Sequence, residues 1–223
     1  MKNLFLPLLV CFISLQSFAQ VTVLEPLKSA PRFGVKFGTS LMLGNSEITY
    51  AGNSNNEAIY EVKINNLTQQ YSFGLFGQKK FGWLFVEGNA LYSNYGVDYD
   101  VKSYTNNDTP VSKMQEKFGY VDIQVMAGLT HSGFRLGVGP VAHILAHHTS
   151  DMTKMDSYNE KMRAISYGFS GSIGYDIDRF SFDVKYDKAF RSVGDHIYYG
   201  NKKSLFKETP DAITFSVGIA LIK

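Results

Sequence analysis

The chain has 223 residues, of which 44% are hydrophobic and 14% aromatic, with 20 glycines and a formal charge of +2. That near-neutral balance excludes a dedicated nucleic-acid binder, which needs a basic stripe. About 200 residues beyond a leader suit a single domain.

Taken in chain order, residues 1–19 read as a signal peptide. Lys2 supplies the positive start, Leu4 to Phe18 the apolar run, and Ser17-Phe18-Ala19 puts small residues at the two positions read for cleavage, so Gln20 is the expected first mature residue. The run is too short to cross a bilayer as a helix, which takes about 20 residues. A lipoprotein signal at Cys11 is disfavoured by the bulky Val10 before it. Cys11 is the one cysteine, so the mature chain is expected to hold no disulfide and no cysteine nucleophile or metal ligand. Residues 20–31 are expected to form a periplasmic N-terminal segment and residues 32–223 one outer-membrane β-barrel.

Beyond the leader, apolar and polar residues alternate over runs near 32–44, 59–78, 82–100, 115–130, 134–148, 162–176, 180–190 and 211–222. The last run is the clearest: Ile213, Phe215, Val217, Ile219 and Leu221 interleave with Thr214, Ser216, Gly218 and Ala220. Strand side chains alternate between faces, so each run has one greasy face and one polar or small one. The gaps alternate as well. Those at Asn45–Ala58, Val101–Met114, Thr149–Lys161 and Arg191–Pro210 are long and polar, whereas Lys79–Phe81, His131–Gly133 and Ile177–Arg179 are tight. Short periplasmic turns and long external loops are the pattern of an outer-membrane barrel. The fold expected is therefore all-β: an eight-stranded antiparallel up-and-down transmembrane β-barrel.

Aromatics suggest two interfacial girdles. Phe81, Trp83, Phe134, Tyr175, Phe180 and Phe182 lie beside the short turns; Tyr92, Tyr95, Tyr99, Phe118 and Tyr120 lie toward the long loops. A soluble lipocalin-like barrel closes equally well, but it would point its apolar face inward. The small residues of the second face (Gly137, Gly139, Gly168, Ser170, Ser172, Gly174) suit a narrow lumen better than a solvated exterior.

Six charges fall within strands: Lys36, Glu87, Asp122, Arg135, Asp183 and Lys185. Parity turns five of them away from the apolar face; Glu87 is ambiguous because Trp83 and Phe85 share its parity. Lysine or arginine facing lipid at the midplane costs about 2–4 kcal/mol, so all six are expected in the lumen. They could form an ion path or a plug of compensating charges. The bore of eight strands is just wide enough for side chains, which favours the plug.

Three histidines, His143, His147 and His148, are the foremost metal candidates. His143 and His147 share a strand face but stand about 13 Å apart at strand rise, so histidines at a wet rim are the competing reading. Asp195-His196, with Asp187 and Arg191 before it, could serve acid–base chemistry at the rim; adjacent residues usually diverge, and no Walker loop, paired zinc motif or Gly-x-Ser-x-Gly is present in the mature chain. No residue is assigned a catalytic, cofactor-binding or metal-ligating role, no cofactor is expected, and the protein is not expected to be an enzyme.

Gly-Phe-Arg-Leu-Gly-Val-Gly-Pro-Val-Ala (133–142), Arg-Phe-Gly-Val-Lys-Phe-Gly (32–38) and the leader ending Phe18-Ala19-Gln20 resemble small outer-membrane β-barrel domains of Bacteroidota, a group that includes PorT-like proteins. The ending Leu221-Ile222-Lys223 departs from the terminal aromatic of many such barrels. The resemblance implies an outer-membrane location, with a link to the type IX secretion machinery as an option. The expected role is structural, adhesive or accessory to assembly or secretion, acting through external loops such as Asn53–Asn56 and Tyr104–Asp108; a rim enzyme and a narrow channel are the alternatives. The expected chain is a monomer in contact with outer-membrane lipid and with envelope or secretion-system proteins.

Overall fold

The structure is a computed structural model that describes residues 30–44, 46–52, 58–104, 111–155, 158–190, 192, 195–199, 202–203, 206, 209 and 211–222. The expected leader, residues 20–29, the loop residues Asn53–Asn56 and 105–108, Arg191 and Lys223 lie outside the described residues.

In chain order the strands are β1 (Arg32–Leu43), β2 (Ile48–Gly52), β3 (Ala58–Phe81), β4 (Leu84–Ser103), β5 (Ser112–His131), β6 (Phe134–Ser150), β7 (Tyr158–Glu160), β8 (Ile165–Ile177), β9 (Phe180–Ala189), β10 (Ile197–Tyr199), β11 (Lys202–Lys203) and β12 (Asp211–Ile222), with one 3-10 turn at Asp151–Lys154. β1, β3, β4, β5, β6, β8, β9 and β12 pair antiparallel in sequence order, and β1 closes the ring by pairing with both β12 and β3. Eight strands thus form a barrel with no free edge, the arrangement that satisfies every backbone group in hydrocarbon.

Three two-residue turns join strands at one end. Gly82 (φ 62°), Ser132 and Asp178 (both φ 48°) and Gly133 (φ 89°) take the positive φ such tight hairpins need. The first turn is therefore Gly82-Trp83, not the expected Lys79–Phe81, because Gly82 supplies the left-handed backbone and β3 pairs down to Phe81↔Leu84. Both ends of the described barrel, Arg32 and Ile222, lie at this turn end.

The outside of the turn-end half is apolar: Phe37, Phe73, Leu75, Val125, Leu136, Val138, Ile173, Val184, Phe215 and Val217 are all exposed. The inside is polar, the reverse of a lipocalin. Along β4, Leu84, Val86, Ala90 and Tyr92 face out while Phe85, Glu87, Asn89, Leu91 and Ser93 face in. Beyond Asn94 the same parity persists, but the chemistry swaps faces. Val97, Tyr99 and Val101 are buried inside, whereas Asp98, Asp100 and Lys102 face out. β5 does the same, with Val121, Ile123 and Val125 outward below and Lys117, Gln115 and Lys113 outward above. The strand does not change register; its outer solvent changes from lipid to water. Leu84–Asn94 spans the membrane, matching the 9–11 residues a tilted strand needs.

Above that boundary, β3, β4 and β5 continue into a head with its own apolar core: Val62, Ile64, Val97, Tyr99, Val101, Phe118, Met152, Met155, Ile197, Tyr199 and Phe206. A small sheet, β11-β10-β7, caps it. Two expectations are corrected here. The long gaps at 101–114, 149–161 and 191–210 contain strand extensions, the 3-10 turn and this sheet rather than polar loop alone. The outer girdle is also differently composed: Tyr99 and Phe118 are buried in the head, and Tyr95 stacks between Phe118 and Tyr120 at 5.0 and 5.7 Å. Among the described residues, Tyr71, Tyr92, Tyr167 and Tyr186 are exposed near the boundary, and Tyr50 and Tyr104 on the head beyond it.

Candidate functional site

The lumen is filled from the turn end upward. Asp176 receives Arg32 (3.1 Å), Lys80 (2.8 Å) and the Arg135 Nε (3.0 Å). Above it four charges close a ring in which each cation touches both acids. Lys36 Nζ lies 2.5 Å from Glu87 and 3.0 Å from Asp183; Arg135 lies 2.8 Å from Glu87 and 2.6 Å from Asp183. Phe76 and Phe85 are buried inside the barrel, and their rings sit beneath Lys36 (5.2 Å) and Arg135 (5.6 Å). Phe85 shares the inward face of Glu87, which is why parity on β4 looked mixed.

The next level is mostly neutral. Gln124 joins Asn89 (3.2 Å), Ser170 (2.6 Å) and Lys185 (3.3 Å), and Asp187 accepts from Ser170 and from Thr214 (3.0 Å). Over it Asp122 binds the His143 Nδ1 at 2.7 Å and accepts the Ser93 hydroxyl at 2.5 Å. The Ser93 hydroxyl therefore goes to the carboxylate and not to the imidazole. Here the lumen opens into a cavity of about 150 Å³, lined by Ser40, Asp122, Gln124, His143, Asp187 and Tyr95 among others. Lys36, Glu87, Arg135 and Asp183 meet in one lattice, then, while Asp122 and Lys185 belong to the levels above it.

A second cluster sits in the head. Glu116, fully buried on β5, accepts Ser150 Oγ (2.7 Å), Tyr99 OH (3.0 Å), Tyr158 OH (3.2 Å) and His196 Nε2 (3.2 Å). Ser150 is its cross-strand partner on β6. His196 is brought in by the pairing of β10 with β7, where its carbonyl accepts from the Lys161 amide at 2.9 Å. His148 lies 3.6 Å from Glu116 on the Nε2 side and 3.6 Å from Glu160 on the Nδ1 side. Among the described residues, Glu116, His148 and His196 bring their ligand atoms within 4.8 Å of one another. Burial alone would raise the Glu116 carboxyl; the adjoining His148 and His196 and the hydroxyl donors override it and hold it well below the usual carboxylate range.

The histidines do not group as spacing suggests. A β-bulge at Ala146, where Gly119 pairs with His147 and Tyr120 with Leu145, inserts one residue and reverses parity. His143 and His148 therefore face inward, and His147 is exposed. Asp195 and His196 part company as well: Asp195 takes Lys203, whereas His196 turns to Glu116. Glu116 was not singled out from sequence, although its parity with Phe118, Tyr120, Asp122 and Gln124 marks it as inward.

A closed ring of eight strands, greasy outside and polar inside, defines a transmembrane β-barrel of the outer-membrane type. The family model for the outer membrane protein beta-barrel domain matches residues 18–194, and the chain belongs to that family. Its place is accordingly the outer membrane. No curated protein matches. Among solved structures the chain is similar to the transport unit of the autotransporter AIDA-I from Escherichia coli, at 10% identity over 96% of this chain and 97% of that one, with a TM-score of 0.35.

Proposed function

We propose that this protein is a plugged, non-conducting outer-membrane anchor that presents its head to a partner outside the membrane. The reading rests on one contrast. A lattice of ion pairs crosses the lumen of the membrane-spanning half, while the chain above the membrane invests in a separate apolar core. A pore would need neither. Loops held on a rigid scaffold are common seats of recognition, and here the paired strands of the barrel extend into the head itself.

In this reading the protein acts as a monomer without enzymatic activity or nucleic acid, exported by the Sec route with removal of residues 1–19. The likeness of 32–38 and 133–142 to PorT-like barrels of Bacteroidota makes envelope or secretion-machinery proteins the partner class proposed. The test has two arms on the purified, folded protein and on intact cells. Planar-bilayer recordings are expected to stay silent, and a photo-crosslinker at exposed Lys113 in the head is expected to capture a discrete protein that the same group at lipid-facing Val138 does not. Steady conductance steps would replace the anchor with a channel, and equal adducts at both positions would remove the head as the docking end.

A further inference from the structure

Beyond the anchor role, we propose that Glu116, His148 and His196 form a binding site for a single Zn²⁺-class transition-metal ion inside the head. Three observations carry it. The first is distance. A metal held at about 2.0–2.1 Å by nitrogen and oxygen in a tetrahedron separates its ligands by about 3.3 Å. Glu116 Oε1 lies 3.2 Å from His196 Nε2 and 3.6 Å from His148 Nε2, so these two edges need only small adjustments.

The second is an unused donor. The His148 side chain is only 9% exposed, yet its Nε2 has no hydrogen-bond partner. A buried unpaired ring nitrogen is unfavourable, and this one points at the carboxylate where the ion would sit. The third is the outer shell. Glu160 stands 3.6 Å from the opposite nitrogen of His148, so a shift of a few tenths of an ångström would make it the outer-shell acceptor that leaves Nε2 free for metal. Ser150, Tyr99 and Tyr158 hydroxyls hold Glu116 in place.

Two imidazoles and one carboxylate select a borderline transition metal over Ca²⁺ or Mg²⁺, which prefer all-oxygen shells. Binding requires the proton on His196 Nε2 to leave it, moving to Nδ1 of the same ring or, from an imidazolium, to solvent, and the fourth coordination position goes to water. The ion would tie β5 and β6 to the β7–β10 sheet, three separate stretches of chain.

The experiment is calorimetric titration of the chelator-stripped, full-length barrel in detergent with Zn²⁺ alone. The expected result is one ion per chain. His148→Gln and His196→Gln should each weaken binding by about tenfold or more, Glu160→Gln by about tenfold, and exposed His147→Gln not at all. Unheated gel migration checks that each variant keeps its barrel. Since a variant could still loosen the head, hydrogen exchange of the wild-type protein is also followed by mass spectrometry. Zn²⁺ should slow exchange in β7 and β10, which the ion would tie to β5 and β6, and leave β8 and β9 unchanged. Absence of one-to-one binding, or identical exchange with and without Zn²⁺, would overturn the site.

Discussion

Replacing Glu87 with alanine removes the acid that both buried cations share. The lost contacts are Lys36 at 2.5 Å, Arg135 at 2.8 Å and the Gln78 amide at 3.1 Å. Lys36 and Arg135 are then left with Asp183 between them, plus the contact of Arg135 with Asp176. Leaving a buried charge uncompensated costs about 3–5 kcal/mol. With a urea slope of about 2 kcal/mol per molar, the unfolding midpoint should fall by about 2 M. The assay is a urea titration in phospholipid vesicles followed by fluorescence of Trp83, the sole tryptophan, exposed at the turn end. The control is Lys36→Met with Glu87→Met, which removes a cation and an acid together and leaves Arg135 paired with Asp183. Exchanging a buried pair for apolar volume is often neutral or better, so the double variant should regain most of the loss. A Glu87→Ala midpoint unchanged within about 0.5 M, or a double variant as weak as the single one, would refute the claim that these charges work as a balanced unit.

Four further outcomes follow from the same structure. Phe118→Ala should cost about 3–5 kcal/mol of head stability, seen as faster hydrogen exchange in β7 and β10 with unchanged exchange in β8 and β9; uniform loosening of all four strands would deny the head a core of its own. The Glu116 carboxyl is held below its ordinary value of 4.5, so its contribution is complete above about pH 4.5 and lost as pH falls through the depressed value. Head protection factors, taken against the intrinsic exchange rate at each pH, should therefore fall on acidification below pH 4.5, and Glu116→Gln should flatten that response; an equally steep profile in the variant would assign the acid sensitivity elsewhere. At Gly139 a Cβ would stand 1.8 Å from the Val125 carbonyl oxygen, so Gly139→Ala should lower the yield of heat-modifiable barrel, and wild-type yield would contradict the close approach. Arg135→Ala should loosen the plug enough to give conductance events in bilayers where the wild type is silent; continued silence would mean that the lattice does not seal the lumen.

The membrane half of the fold was legible because lipid outside and charge inside impose a two-residue period on every strand. The apolar runs of β8, β9 and β12 sit within two or three residues of where alternation puts them. The head was illegible for the same reason. On β4 the period continues past Asn94 with apolar and polar faces exchanged, so a run read as ending at residue 100 continues to Ser103, with Asp98, Asp100 and Lys102 on its outer face. Inward charges could be read from parity, but their pairings could not: Lys36 meets Asp183 across 147 residues of chain. The metal cluster was hidden twice. The bulge at Ala146 reverses the parity of His148, and His196 reaches Glu116 across 80 residues through a three-residue strand pairing. The glycine-proline strand does have a visible cause. Pairing of β5 with β6 skips from Gln124↔Val141 to Ala127↔Val138, where Pro140 offers no N–H and Gly139 admits the neighbouring carbonyl.

The central claim, a barrel that spans the outer membrane with its head outside, is tested most directly by single-cysteine labelling. With Cys11 in the expected leader, a cysteine introduced at exposed Lys113 in the head or at exposed Arg179 in a short turn would be the one thiol of the mature chain. A membrane-impermeant maleimide applied to intact cells should label Lys113→Cys, and should label Arg179→Cys only after the outer membrane is breached. Labelling of Arg179→Cys on intact cells while Lys113→Cys stays protected would contradict the orientation and, with it, the role given to the head.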